Sequence, residues 1–172
     1  MQVQELMTKK VVTISLATTL IEVVDLMQQH KFSSLPVVDE QNYLRGVVRQ
    51  EDLMSHNPDL HLPSYIQFLE AMPKESKAQV EVNETLSDLT QMQAKIIMST
   101  RIPVVSSNTD ARVAAAIFAE HHVSTIPVVD DDDKLVGLVS RSDLLSLLSH
   151  PKKATSLTDD LPKNYNYKIL QL

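Results

Sequence analysis

The chain has 172 residues, of which 43% are hydrophobic, with a net charge of −6, no cysteine and only two glycines. That length suffices for one domain or two small halves around a buried core, and the missing cysteines exclude disulfides, thiolate metal sites and a cysteine nucleophile. The acidic balance argues against a broad nucleic-acid surface, and no apolar run approaches the roughly 20 residues of a membrane span, so a cytoplasmic protein is expected.

Taken in chain order, Met1 to Glu5 lacks the charged and apolar regions of a signal peptide. A helix end and an extended piece, Val11 to Ile14, come first. Thr19 with Glu22 three residues later has the form of a capping box, and Leu20, Val23, Val24 and Met27 then recur at helical spacing. A β-branched run from Leu35 to Val38, a polar turn from Asp39 to Asn42 and a second apolar run from Leu44 to Val48 predict two strands, with a helix beginning near Gln50. Residues 58–83 form a linker rich in Pro and charge. Within it Tyr65, Phe68, Leu69 and Met72 predict a short helix between Pro63 and Pro73. Asn83 caps a further expected helix carrying Leu86, Leu89, Met92 and Ile96. Both stripes read as faces buried within the chain, the alternative being a docking face for a partner.

The order then repeats. An extended piece from Ile102 to Val105 is followed by a helix carrying Ala111, Ala114, Ala115 and Phe118, the runs Ile126 to Val129 and Leu135 to Val139, and a helix from about Arg141. The tail from 150 to 172 is polar, with no periodic pattern until Tyr165, and is expected to be mobile or to add a strand to a neighbour.

These two stretches are copies at an ungapped offset of 91 residues, the separation of Gly46 and Gly137. Met7 falls on Met98, His30 on His121, Ser33 on Ser124, Pro36-Val37-Val38-Asp39 on Pro127-Val128-Val129-Asp130, and Asp52-Leu53 on Asp143-Leu144. One fixed offset means one supersecondary unit used twice, 1–57 and 84–149, with a cleft between the copies as the natural place for function. The two glycines mark either a close approach of another segment or a bulge. Asp130 to Asp133 lacks the glycine and distal glutamate of a calcium loop and reads as a solvated turn. His30 and His121 sit at helix ends, where a cation suits the dipole. With no Gly-x-Ser-x-Gly elbow and no glycine-rich phosphate loop, no catalytic constellation is present, and an enzyme is not expected.

The pattern Met7-Thr8, Ser33 to Asp39, Leu44 to Val48 and Asp52-Leu53, with its repeat through Asp143-Leu144, resembles the CBS domain, the module named after cystathionine β-synthase, in a stand-alone pair of the bacterial type. The resemblance implies a mixed α/β fold: a tandem pair of β-α-β-β-α repeats with pseudo-two-fold symmetry, often a homodimer. It further implies a regulatory or sensing module that requires no cofactor, binds an adenosine-type ligand (AMP, ADP, ATP, S-adenosylmethionine or a cyclic dinucleotide) between the repeats, and serves an unknown effector protein. A ligand-free dimerisation or scaffold module is the alternative.

Asp143 and Asp52 stand at the family's ribose positions, where one carboxylate accepts hydrogen bonds from both hydroxyls. Ser140 and Arg141 open the helix carrying Asp143 and are the expected phosphate ligands, although Ser140-x-x-Asp143 is also a plain capping box. Arg49 replaces the family's Ser/Thr in the first copy, either reaching a phosphate or closing the cleft. The base is expected between Ile126, Pro127 and Val128 and the edge at Val104 and Val105 in the second copy, and between Leu35, Pro36, Val12 and Thr13 in the first.

Overall fold

The computed structural model describes residues 1–55, 91–148 and 167–170. The stripe predicted in the linker, and its continuation through Leu86 and Leu89, lie outside the described residues.

Local signals set the elements of the first half. Strand β1 (Ile14–Ser15) leads into helix α1 (Leu20–His30), capped by Thr19, whose hydroxyl accepts from the Glu22 amide while the Glu22 carboxylate accepts from the Thr19 amide at 2.8 Å. The helix buries Leu20, Val23, Val24 and Met27, the predicted stripe. It stops at Lys31, which takes a left-handed conformation with φ 55°. Strands β2 (Ser34–Val38) and β3 (Leu44–Arg49) form an antiparallel hairpin, β1 runs parallel to β2, and α2 (Gln50–Ser55) follows directly.

The second half repeats this with a short helix α3 (Ala94–Ile97), β4 (Ile102–Ser106), α4 (Ala111–His121), β5 (Thr125–Val129), β6 (Leu135–Ser140) and α5 (Arg141–Leu148). Helix α4 ends at His122, φ 52°, the counterpart of Lys31. Its apolar face is wider than predicted, adding Val113, Ala116 and Ile117 to Ala111, Ala114 and Phe118, with Ala115 only half-buried. The expected helix through Met92 and Ile96 is interrupted: Gln93 forms an isolated bridge to Thr19, and the turn beyond it buries Ala94 and Ile97 and leaves Ile96 55% exposed.

A fourth strand, β7 (Lys168–Leu170), joins the second sheet by pairing antiparallel with β4, Ile102 opposite Leu170 and Val104 opposite Lys168. The end of the tail is thus a strand added within this chain. Its pairing explains why β4 spans five residues while β1 spans two, Val12 and Thr13 remaining outside the strand. The polar turn at Asp130 does more than meet solvent: Asp133 pairs with the Lys168 ammonium of β7 at 2.6 Å.

The repeats exchange their opening segments. The single turn Val3–Glu5 docks on the second half through Val3 N to Thr109 O at 2.8 Å, while α3 docks on the first through Ala94 N to Thr18 O at 2.8 Å, the same bond shifted by one repeat. Val3 is accordingly buried with Val105, Ile117 and Val139, and Ala94 and Ile97 with Val23, Leu35 and Val48. The segment then crosses back: Thr8 pairs with Leu138, and Ser99 with Val47. A third cluster, with Leu44 and Val47 of one repeat and Ile102, Val104, Val129, Leu135 and Leu170 of the other, fills the seam. Residues one repeat apart meet across the pseudo-two-fold axis, Ser34 with Thr125 at 2.6 Å and Ser33 with Ser124 at 3.3 Å.

Both readings of the glycines hold. Gly46 pairs with Val37 and Leu44 with Val38, which leaves Arg45 as the extra residue of a bulge, and Val136 beside Gly137 is its counterpart. The crossing segment also passes directly over each glycine: a Cβ at Gly46 would lie 2.8 Å from Met98 Sδ, and one at Gly137 would fall 2.5 Å from Met7 Sδ.

Candidate functional site

The end of β6 and the start of α5 carry the second-repeat motif. The Asp143 carboxylate accepts from the Ser140 amide at 2.7 Å and from its hydroxyl at 2.6 Å, and Ser142 Oγ lies 2.8 Å from Ser140 Oγ. The capping box is therefore real, and it aims the carboxylate. Asp143, Ser140 and Ser142 line a cavity of about 330 Å³ with Leu138 and Thr125 of the same repeat. The other walls come from the first repeat: Thr8, Lys10, Val11 and Val12 of the crossing segment, and Lys31, Phe32, Ser33 and Ser34 beyond α1. The walls are mixed, with an apolar stretch, hydroxyls, one carboxylate and two lysines.

Several residues grouped in the sequence lie elsewhere. Arg141 is exposed and turned away, its Nε donating to the Val123 carbonyl at 2.8 Å, so it does not line this cavity. Ile126 and Val128 are fully buried in the second core, and Pro127 is buried within β5. Val104 and Val105 line a different cavity, of about 560 Å³, with Thr109, Asp130, Tyr167 and Lys168. Leu35 is fully buried in the first core, Pro36 is buried in β2, and Thr13 is half-buried before β1. Val12 lines the Asp143 cavity, with the carboxylate of the other repeat. The exchange of opening segments is the reason: the chain from Thr8 to Val12 travels from β6 of the second repeat to β1 of the first, passing Ser140 on the way.

Around Asp52 the chemistry differs. Arg49 makes a two-pronged ion pair with it, Nη2 to Oδ1 at 2.8 Å and Nε to Oδ2 at 3.1 Å, and the Arg49 amide also donates to Oδ2 at 3.0 Å. Ser99 of the crossing segment closes the group, accepting from Arg49 Nη2 at 3.0 Å and donating to Asp52 Oδ1 at 3.2 Å. Hydrogen bonding to Asp52 holds the guanidinium even more firmly protonated than usual, against the opposing effect of burial and with help from the charges of Asp52 and Glu51. Sequence reasoning missed Ser99, Thr8, Lys10, Val11 and Lys31. The repeat offset pairs Met7 with Met98, but that each lies against the other repeat's glycine, and so that the segment crosses, shows only in the folded chain.

The CBS domain family model matches twice, over residues 3–59 and 94–150. The chain belongs to the CBS domain family. It is 28% identical to the uncharacterized protein MJ1426 of Methanocaldococcus jannaschii, over 86% of this chain and 91% of that one. It is 27% identical to the CBS domain-containing protein YhcV of Bacillus subtilis, over 91% and 93%. The crystal structure of CBSX2 in complex with AMP superposes with a TM-score of 0.65 at 24% identity, covering 88% of this chain and 98% of that one. The CBS domain pair of protein MJ0100, in complex with 5′-methylthioadenosine and S-adenosyl-L-methionine, gives a TM-score of 0.62 at 20% identity, with coverage of 88% and 98%. At these identities the solved structures share the fold, a tandem CBS pair. No helix among the described residues is long and apolar enough to cross a membrane.

Proposed function

We propose that the chain is a regulatory module that takes an adenosine-type small molecule in the cavity at Asp143. The observation that carries this is one carboxylate, aligned by Ser140 at the start of α5, facing an apolar wall of Val11, Val12 and Leu138 across a cavity of about 330 Å³. That size falls at the lower end of small-molecule pockets, about 300–1,000 Å³. A ribose diol donates two hydrogen bonds to such an acceptor, the apolar wall suits a base, and Lys10 and Lys31 supply cations for a phosphate. The relatives solved with AMP and with S-adenosyl-L-methionine support the adenosine class.

The cavity draws its walls from both repeats, so a ligand that prefers one relative placement of them shifts the population of that state, and nothing need be turned over. In this reading the module is a cytoplasmic homodimer whose change of state passes to an effector protein. Thermal denaturation with AMP, ADP, ATP, S-adenosylmethionine and cyclic di-AMP side by side tests it. One of them is expected to stabilise the chain saturably, by about 2.7 kcal/mol at 100 times its Kd. A melting temperature unmoved by all five ends the proposal in favour of a ligand-free scaffold.

A further inference from the structure

The two repeats differ at three positions just before the carboxylate, Arg49, Gln50 and Glu51 standing where the second has Ser140, Arg141 and Ser142, and the first of these differences rebuilds the surroundings of the carboxylate. In the second repeat the residue is Ser140, and Asp143 faces the cavity. In the first it is Arg49, whose guanidinium turns back onto Asp52 with contacts at 2.8 and 3.1 Å and continues to Ser99 at 3.0 Å. Ser99 is the counterpart, 91 residues on, of Thr8, which forms part of the far wall of the Asp143 cavity. The arginine therefore spans the width from carboxylate to opposite wall. Asp52 is only 7% exposed, and every member of the group has a charged or hydroxyl partner. To enter, a ribose would have to replace a two-pronged, charge-assisted pair with two neutral hydroxyl donors, the weaker interaction of the two.

We propose that Arg49 is a built-in occupant of the first cleft, standing where a ligand would stand and tying α2 to the crossing segment of the second repeat. The chain then takes one ligand, and the Arg49→Ser change creates a second site. This rests on reading the Asp143 cavity as a ligand site.

Titration calorimetry with AMP on the full chain tests it. The wild type is expected to take one AMP per chain, Asp52→Asn to leave that stoichiometry and affinity unchanged, and Arg49→Ser to take two. Two AMP per wild-type chain, a loss of about tenfold or more in affinity on Asp52→Asn, or a folded Arg49→Ser protein that still takes one would each overturn the proposal. Should Arg49→Ser fail to fold, the wild-type stoichiometry and the Asp52→Asn affinity decide. A nucleotide-free measurement keeps the two readings separate: the melting-temperature losses of Arg49→Ser and Asp52→Asn are expected to sum to more than the loss of the double variant. Additive losses overturn the lock even if no nucleotide binds the wild type, an outcome that by itself would end only the reading of the Asp143 cavity.

Discussion

At the residue scale, the two glycines do unequal work. At Gly46 an added methyl meets the Ser99 carbonyl oxygen at 2.9 Å as well as Met98, and a backbone atom cannot step aside. At Gly137 the two nearest atoms are Sδ and Cγ of the unbranched Met7 side chain, which can turn away, and only its Cβ, at 3.3 Å, is fixed by the backbone. Gly46→Ala should therefore cost about 1–3 kcal/mol, the usual range for overpacking, and Gly137→Ala measurably less. Urea unfolding of both variants checks the order, and equal costs would mean that the crossing segments yield alike. Neither glycine has a positive φ, so close approach and not backbone freedom excludes a side chain here.

At the element scale, β7 is held by its pairing with β4, by Leu170 in the seam and by Lys168 on Asp133. Leu170→Ala should cost about 2–5 kcal/mol as a large-to-small change in a core. Lys168→Ala removes an exposed ion pair and should cost about 1 kcal/mol or less. Chemical denaturation separates the two.

The helix starts add a pH dependence. Hydrogen bonds from Thr19 hold the Glu22 carboxyl below the ordinary carboxylate range, and the Arg112 side chain does the same for Asp110 at the start of α4. A group depressed on folding stabilises above its unfolded pKa, about 4, and that contribution is lost as pH falls through the folded value. The stability advantage of wild type over Glu22→Gln should be full at pH 7 and shrink on acidification below that range. An advantage that instead grew toward low pH would reverse the sign assigned to Glu22. Thr19→Ala should cost about 1 kcal/mol.

At the scale of the whole molecule, the exchange of opening segments welds the repeats together. Val3 belongs to the first repeat by sequence but to the core of the second by contact, and Ile97 does the reverse. Val3→Ala should thus destabilise the chain by roughly 1–3 kcal/mol through the second core, and calorimetry should show one transition, with calorimetric and van't Hoff enthalpies equal. Two separate transitions would contradict the weld. The offset of 91 made the repeated unit, its caps and both carboxylates legible in the sequence, because spacing and periodicity are local. The crossing was not legible: Val3 and Ala94 present the same apolar pattern whichever half they join, and so the sequence groups Val12 with Asp52 of its own repeat, where the structure sets it in the cavity of Asp143. Arg49 showed in the sequence as a departure, but whether its cation would face a ligand or Asp52 depended on where Ser99 lies.

The central claim is that the Asp143 carboxylate receives the sugar hydroxyls of an adenosine-type ligand. Its most direct measurement is the affinity of the Asp143→Ala variant, by calorimetry, for whichever nucleotide stabilises the wild type. A loss of about 1.5–3 kcal/mol, the worth of hydrogen bonds to a charged group, or roughly 10- to 150-fold in Kd, is predicted. An unchanged affinity in a folded variant would contradict it.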